Sequence, residues 1–321
     1  MDRAAVDTEP VTRTVAVAIP CYNEKFTIAQ VIADFRHSLP EASIHVFDNR
    51  SSDETGRIAA QAGAEVHFVP EPGKGEVVRA IFRELDVDVI VIVDGDGTYP
   101  ASRVRDLLAP VLEGRAEMTV ATRLEQHQLA SFRTLHVAGN RLVLRCINLL
   151  FGTRLSDAFS GYRAFSRRFA KTMPVLSSGF EVETEITLHA LEHRKAIVEI
   201  PVAYGARPDG STSKLSTLRD GGRVVATLLR LYKDYRPLMF FGIPGGLLLA
   251  AGIIAGVMTF GEFLDHGRVV GIARAVFAVA CCLLGTVSLA TGFILDTVNR
   301  RARELYVLLA DYLIEGRRRS E

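Results

Sequence analysis

Hydrophobic and polar positions divide the chain into two unlike parts. Over the first two thirds, short apolar runs of strand length alternate with stretches of helical periodicity. Residues 15–19, 44–47, 66–69, 87–93 and 118–121 predict strands, and residues 27–39, 53–62 and 76–85 predict helices between them. Strands alternating with helices predict an α/β fold with a mostly parallel central sheet. Ser51 with Glu54 three positions on reads as a capping box opening the second helix, and Gly63 as its C-terminal stop. An amphipathic helix is expected over 133–151, followed by polar sequence up to Pro201.

The last third reads differently. Residues 238–260 contain no charged side chain, and residues 269–295 contain only Arg274. At 1.5 Å per residue the first run is roughly 34 Å long, enough to cross a hydrocarbon core of about 30 Å. Two such runs with a short polar connection predict a transmembrane hairpin over 237–296. Before it, residues 215–236 place Leu218, Val225, Leu228, Leu229 and Tyr232 at helical spacing, with Arg219, Arg223, Arg230 and Lys233 between them. Such a basic amphipathic helix is expected to lie on the headgroup surface of a bilayer. A second amphipathic segment, 297–321, carries Arg317-Arg318-Arg319 near its end.

Charge then sets orientation. Arg230, Lys233 and Arg236 precede the first span and Arg300, Arg301 and Arg303 follow the second, while the connection carries Glu262 and Asp265. The positive-inside rule predicts an inner-membrane, multi-pass protein with both termini and the N-terminal domain in the cytoplasm. Residues 1–13 are mixed and polar and are expected to form a tail without a signal peptide. The net charge of +1 argues against a general polyanion binder, so no nucleic acid is expected as partner. Four cysteines show neither metal spacing nor a disulfide framework.

The most informative stretch is the apolar run 89–93 ending in Asp94-Gly95-Asp96. On a strand, residues two apart face the same side, so both carboxylates would reach one point. Gly95 is expected to admit a bulky anion close to the backbone. Paired carboxylates at the carboxyl end of a buried parallel strand suit Mg²⁺ or Mn²⁺ held with a diphosphate. A plain surface turn is the alternative for such a triplet taken alone.

It is one of an ordered set. Pro20-Cys21-Tyr22-Asn23-Glu24 follows the first predicted strand and Asp48-Asn49-Arg50-Ser51-Ser52-Asp53 the second. Then come Gly73-Lys74-Gly75, the Asp94 triplet, the run from Asp157 through Ser160-Gly161-Tyr162 to Arg163, the run from Gly179 to Glu185, and Ser213-Lys214-Leu215. With these motifs the chain resembles glycosyltransferase family 2, with its GT-A nucleotide-sugar-binding fold, and within it the polyprenyl-phosphate sugar transferases. The resemblance covers about residues 15–236. It implies a cytoplasmic catalytic domain over 14–214, an interfacial helix over 215–236 and the two transmembrane helices.

The resemblance also implies roles. Pro20, Tyr22, Asn23, Glu24 and Asp48 would hold base and ribose, and Lys74, Asp94, Gly95, Asp96 and Arg123 would complete the nucleotide-sugar site. Asp94 and Asp96 would carry the metal. Asp157, Arg163 and Asp96 are the expected catalytic residues. Asp157 would position the donor sugar or the attacking group, with a helix N-cap or a structural ion pair to an arginine as the alternatives. Arg207, Ser213 and Lys214 would hold the acceptor phosphate, since an arginine fork bonds two phosphate oxygens at once.

The implied reaction is inverting transfer of a sugar, UDP-linked rather than GDP-linked, to polyprenyl phosphate. A phosphate monoester is largely dianionic at neutral pH and needs no general base. Two rivals are a transferase with a hydroxyl acceptor, using Asp157 or Glu183 as base, and an inactive scaffold. A processive polysaccharide synthase is disfavoured, because its QxxRW motif needs a tryptophan and the chain has none. Gly242 with Gly246 and Gly252 with Gly256 suggest close helix association, including homo-oligomers through the spans.

Overall fold

The computed structural model describes residues 13–124, 134–179, 181–205 and 229–318. Contacts divide the chain into two compact units, one of residues 1–134 with 153–215 and one of residues 135–152 with 216–321.

The first unit is built on a sheet of seven strands: β1 (Val15–Cys21), β2 (Ser43–Asp48), β3 (Glu65–Phe68), β4 (Val89–Ile92), β5 (Met118–Leu124), β6 (Arg163–Ser166) and β7 (Ile197–Ala203). Their spatial order is β3-β2-β1-β4-β6-β5-β7. All pairs are parallel except those of β6, which runs antiparallel to both β4 and β5. The helices are α1 (Ile28–Ser38), α2 (Thr55–Gln61), α3 (Lys74–Glu84), α4 (Val104–Leu112), α6 (Arg167–Thr172) and α7 (Val182–Glu192).

The central strands are apolar on both faces because both faces are covered. In β1, Val15, Val17 and Ile19 join the core shared with Ile28, Phe35, Leu107 and Tyr162, while Ala16 and Ala18 join the opposite core with Val78, Ile81, Phe165 and Ile186. In β4 the same alternation sends Val89 and Val91 one way and Ile90 and Ile92 the other. The predicted mostly parallel α/β sheet is therefore present. Sequence periodicity did not foresee α4, β6, α6, α7 or β7. β6 has four residues and follows directly on a polar loop, too short a signal for a period-2 pattern.

Two local readings need correction. Glu54, not Ser51, occupies the N-cap of α2, with φ +68° and no side-chain cap. Ser51 Oγ instead accepts from the Asn23 N–H. Gly63 follows α2 at φ +86°, in the left-handed region that glycine enters without strain. β4 ends at Ile92, so Asp94 and Asp96 lie in a turn beyond the strand and the period-2 argument does not apply to them.

The second unit contains α5 (Thr134–Phe151), α8 (Pro237–His266) and α9 (Ile272–Arg318). Two helices, Pro237–His266 and Ile272–Ala310, are long and apolar enough to cross a membrane. The predicted polar connection of 261–267 is mostly helical: α8 runs on to His266 and stops at Gly267, φ +66°. The apolar run and the amphipathic tail expected after it belong to one helix, α9. The helices meet through small residues. A Cβ on Gly245 would stand 3.0 Å from the Gly285 carbonyl, and one on Gly252 2.6 Å from Cys282 Sγ. Gly246 faces open space instead. Gly252 thus packs within the hairpin rather than pairing in function with Gly256, whose added Cβ would meet only an ordinary contact at 4.0 Å. Of the expected interfacial helix, residues 229–235 are helical and residues 215–228 lie outside the described residues.

Candidate active site

The site lies beyond the carboxyl ends of β1, β2 and β4, where open α/β sheets place ligands. Register sets Pro20 beside Phe47 and Cys21 beside Asp48, bringing the loops after β1 and β2 together. Side chains then latch them. The Asn23 N–H donates to Ser51 Oγ (2.9 Å), the Ser52 N–H to Asn23 Oδ1 (2.8 Å) and the Glu24 N–H to Thr55 Oγ1 (2.9 Å). Asp48 Oδ1 accepts from the Ser51 N–H at 2.9 Å. Asn23, Arg50 and Glu54 all have positive φ, from 56° to 68°, which concentrates backbone strain in this pair of loops. Tyr22, Asn23, Glu24 and Asp48 thus form one wall, with the Tyr22 ring half exposed on it.

Asn49 is turned away from that wall. It is buried, donates to the carbonyls of Val69 and Glu71, and accepts from the Gly73 N–H at 2.8 Å. It therefore fixes the loop that delivers Lys74. Gly73 and Gly75, which flank Lys74, press against protein backbone. A Cβ on Gly75 would lie 1.8 Å from the Ser177 carbonyl oxygen, and one on Gly73 2.0 Å from that of Ser178. Glu185 holds this facing loop by accepting from the N–H groups of Leu176 and Ser177.

Lys74, at the first turn of α3, projects between two carboxylates. Its Nζ is 2.6 Å from Asp94 Oδ1 and 2.5 Å from Glu183 Oε1. Burial works against its charge, but Asp94 and Glu183 outweigh that penalty and hold its pKa above the ordinary lysine value. Asp96 is buried and turned inward, its Oδ1 accepting from the Thr98 N–H (3.1 Å) and hydroxyl (2.6 Å). Gly95 packs against β1 rather than opening a path for an anion, for its Cβ would fall 2.7 Å from Cys21 Sγ. Asp94 from the turn and Glu183 from α7 thus face one ammonium, with Asp96 two residues further along the turn. An oxygen-only donor set with surplus negative charge suits a hard divalent cation such as Mg²⁺ or Mn²⁺.

Residues 157–163 wrap the other side. Arg123 grips Asp157 with two bonds, Nε to Oδ2 at 2.7 Å and Nη2 to Oδ1 at 3.0 Å. Burial opposes the guanidinium charge of Arg123 and Asp157 more than restores it. Asp157 Oδ1 also accepts from the Phe159 N–H, and Glu199 holds the preceding turn through the Ser156 and Asp157 N–H groups. Of the alternatives held open for Asp157, the ion pair to an arginine is present, and Arg123 is its partner. Gly161 lets Asp94 approach, since a Cβ there would lie 2.3 Å from Asp94 Oδ2. Tyr99, which the motifs did not single out, donates to or accepts from Ser160 Oγ (3.2 Å) and accepts from the Gly161 N–H (3.1 Å). Burial, and secondarily Asp94, raises its hydroxyl pKa.

Arg163 departs from its expected catalytic role. It is 2% exposed, and its guanidinium donates to the carbonyls of Ser160 and Ala158 and to Thr187 Oγ1. Desolvation lowers its pKa. It shapes the 157–163 loop from behind and touches no open surface. Arg207, Ser213 and Lys214 lie outside the described residues.

Comparison with known proteins places this arrangement. The model of the family described as glycosyl transferase family 2 matches residues 16–173. Glycosyltransferase AglJ of Haloferax volcanii is 32% identical over 87% of this chain and 94% of its own length. Polyprenol monophosphomannose synthase of Mycolicibacterium smegmatis is 24% identical over 76% of this chain and 92% of its own. Among solved structures, glucosyl-3-phosphoglycerate synthase of Mycobacterium tuberculosis, in complex with Mn²⁺, UDP-glucose and phosphoglyceric acid, superposes with a TM-score of 0.54 at 25% identity. That match covers 68% of this chain and 79% of the other.

Proposed function

The chain belongs to glycosyl transferase family 2, and from that premise we propose that it transfers a sugar from a UDP-linked donor to polyprenyl phosphate, with inversion, at the cytoplasmic face of a membrane. It is a glycosyltransferase with a mostly parallel GT-A sheet and two apolar C-terminal helices. The donor and acceptor belong to the proposal.

One observation carries the choice of acceptor. Both carboxylates that could serve a hydroxyl acceptor as base already have cationic partners. Asp157 is bonded through both oxygens to Arg123, and Glu183 is bonded to Lys74. An acceptor that arrives as a phosphate anion needs neither of them. The relative named for polyprenol monophosphomannose synthesis supports the same acceptor class, and the UDP-glucose complex of the M. tuberculosis enzyme supports a UDP donor.

In the proposed reaction an acceptor phosphate oxygen forms the new bond to the anomeric carbon, and the bond from that carbon to the diphosphate oxygen breaks. The nucleoside diphosphate leaves with the electron pair. The wall of Tyr22, Asn23, Glu24 and Asp48 would hold base and ribose through the acceptor oxygens of its carboxylates and amide. Held by Asp94 and Asp96, Mg²⁺ or Mn²⁺ would supply the positive charge that the departing diphosphate requires. Lys74 would hold Asp94 oriented beside it. Arg207, Ser213 and Lys214 would receive the acceptor phosphate, keeping the two anions on separate cations.

The membrane arrangement is part of the proposal. Residues 14–214 would form the cytoplasmic catalytic domain and 237–296 the anchoring hairpin, with residues 215–236 on the bilayer surface. The arginines and lysine flanking the two apolar runs support both ends lying inside.

The test is transfer from a panel of UDP- and GDP-sugars to undecaprenyl phosphate in detergent, with the corresponding polyprenol as hydroxyl control. A metal-dependent product on the phosphate with one UDP-sugar is expected, lost in Asp96→Ala. Product on the alcohol but not on the phosphate would overturn the acceptor assignment.

A further inference from the structure

Along β2 and β3, away from the Lys74 carboxylates, His45, Glu65 and His67 converge. We propose that these three side chains form a second metal site, selective for a borderline divalent ion of the Zn²⁺ class. The inference is independent of the sugar-transfer reading.

Topology places the residues. β2 and β3 are parallel neighbours with His45 beside Glu65 and Phe47 beside His67. Alternation along each strand then puts His45 and Phe47 on the same face as Glu65 and His67. His45 Nδ1 and His67 Nε2 stand 3.1 Å apart. Glu65 approaches both rings, with Oε2 3.4 Å from His45 Nδ1 and Oε1 3.5 Å from His67 Nε2. Ligand atoms about 2.0–2.1 Å from a tetrahedral Zn²⁺ lie about 3.3–3.4 Å apart. The imidazole edge is close to that spacing, and because Glu65 meets the two rings with different oxygens, its exposed carboxylate would turn to bring one oxygen to the third corner.

The outer hydrogen bonds prepare the rings for this role. His67 Nδ1 is 3.1 Å from Glu84 Oε2 on α3, and an ionised carboxylate only accepts, so the ring proton sits on Nδ1. The lone pair of Nε2 is thereby aimed into the triangle. His45 Nε2 lies 2.8 Å from Ser43 Oγ, which can accept its proton and turn the Nδ1 lone pair inward as well. A cation between them is what two converging lone pairs and a carboxylate attract. A carboxylate behind a metal-binding histidine is the usual outer support of such a site. Phe47 stacks on the His67 ring at 4.4 Å and 7°, fixing its plane. The Glu65 side chain is 66% exposed, which leaves a fourth position open to water.

The donor chemistry separates the two centres. Two imidazole nitrogens and one carboxylate suit Zn²⁺ or Co²⁺, whereas Mg²⁺ prefers oxygen and suits the Asp94 and Asp96 pair. β3 is the edge strand of the sheet and has four residues, so an ion there would tie the sheet's shortest edge to β2 and α3.

The experiment uses the full-length chain in detergent, stripped with chelator and then titrated with Co²⁺ in excess Mg²⁺. One Co²⁺ per chain is expected, with the visible absorption of a four-coordinate ion, displaced by one equivalent of Zn²⁺. Glu84→Gln should weaken the affinity about 10- to 100-fold while leaving the spectrum four-coordinate. Glu65→Gln, at an exposed position that folding does not depend on, should shift the spectrum and weaken binding further. His45→Gln with His67→Gln should abolish it, and Zn²⁺ should raise the melting temperature of the wild type but not of that double variant. Failure to bind Co²⁺ at micromolar concentration, or a spectrum unchanged by Glu65→Gln, would overturn the proposal.

Discussion

Glycine serves the two units of this protein in contrasting ways. In the sheet unit, Gly73, Gly75 and Gly161 let loops and the first turn of α3 come into close contact beside Lys74 and Asp94. A Cβ at any of the three would collide with a carbonyl or with Asp94 at 2.3 Å or less. In the helical unit, Gly245, Gly252 and Gly285 let two regular helices touch, and the contact positions nothing but the helices. Close backbone approach therefore couples stability to chemistry in the first unit, while in the second it contributes packing alone. The contrast is open to test at graded strength.

The largest effect is expected at Lys74. Lys74→Met leaves Asp94 and Glu183 without their ammonium, and transfer should fall by about 10²–10³-fold, the usual cost of removing one preorganised electrostatic partner. Lys74→Arg should not restore it, because a planar fork does not fit where one nitrogen meets two carboxylates at 2.5–2.6 Å. Initial rates at saturating donor and metal would measure both.

Arg163→Met should separate scaffold from chemistry on the same loop. It removes the partners of two buried carbonyls and of Thr187 Oγ1, at a cost of about 3 kcal/mol. Thermal melts should show the loss, and donor affinity of the fraction that folds should change little. A variant with wild-type melting and abolished transfer would return Arg163 to the catalytic group.

His189, on α7, gives a pH-dependent test. Burial, with His193 and Lys195 nearby, pushes its pKa down to about 3 from an ordinary 6.5. Between those values the unfolded chain binds a proton that the folded chain refuses, so stability is full above about pH 6.5 and falls as pH is lowered through the window. After allowance for solvent the effect is on the order of 2 kcal/mol. His189→Gln should flatten the melting temperature between pH 6.5 and 4.

The smallest effects belong to the helical unit. Gly252→Ala forces a methyl against Cys282 and should destabilise the hairpin by about 1–2 kcal/mol. Gly246→Ala meets open space and should stay within about 0.5 kcal/mol. Detergent melts compare the two, with transfer activity unchanged in both. An equal loss in the pair would mean that the Gly246 face is also covered.

Much of the fold could be read beforehand. β1, β2 and β4 announced themselves as apolar runs, and the two long helices as runs nearly free of charge. α4 was less legible because Pro110 interrupts its pattern, and β6 because four residues carry too little periodicity. In the site, Asp94, Asp96, Lys74 and Asp157 stood out as residues, but their pairings did not. Glu199 carried no motif of its own, Glu185 closed one without a role assigned to it, and Arg163 looked functional because it sits in one.

The sequence alone determined the α/β alternation, the apolar hairpin and the order of the motifs, since hydrophobic period and run length are local properties that each segment carries by itself. Only the tertiary structure decided that Lys74 meets Glu183, that Arg123 holds Asp157 and that His45 faces His67. Each pairing joins segments distant in the chain, and the two ion pairs gain strength from burial, which removes the water that would otherwise screen one charge from the next.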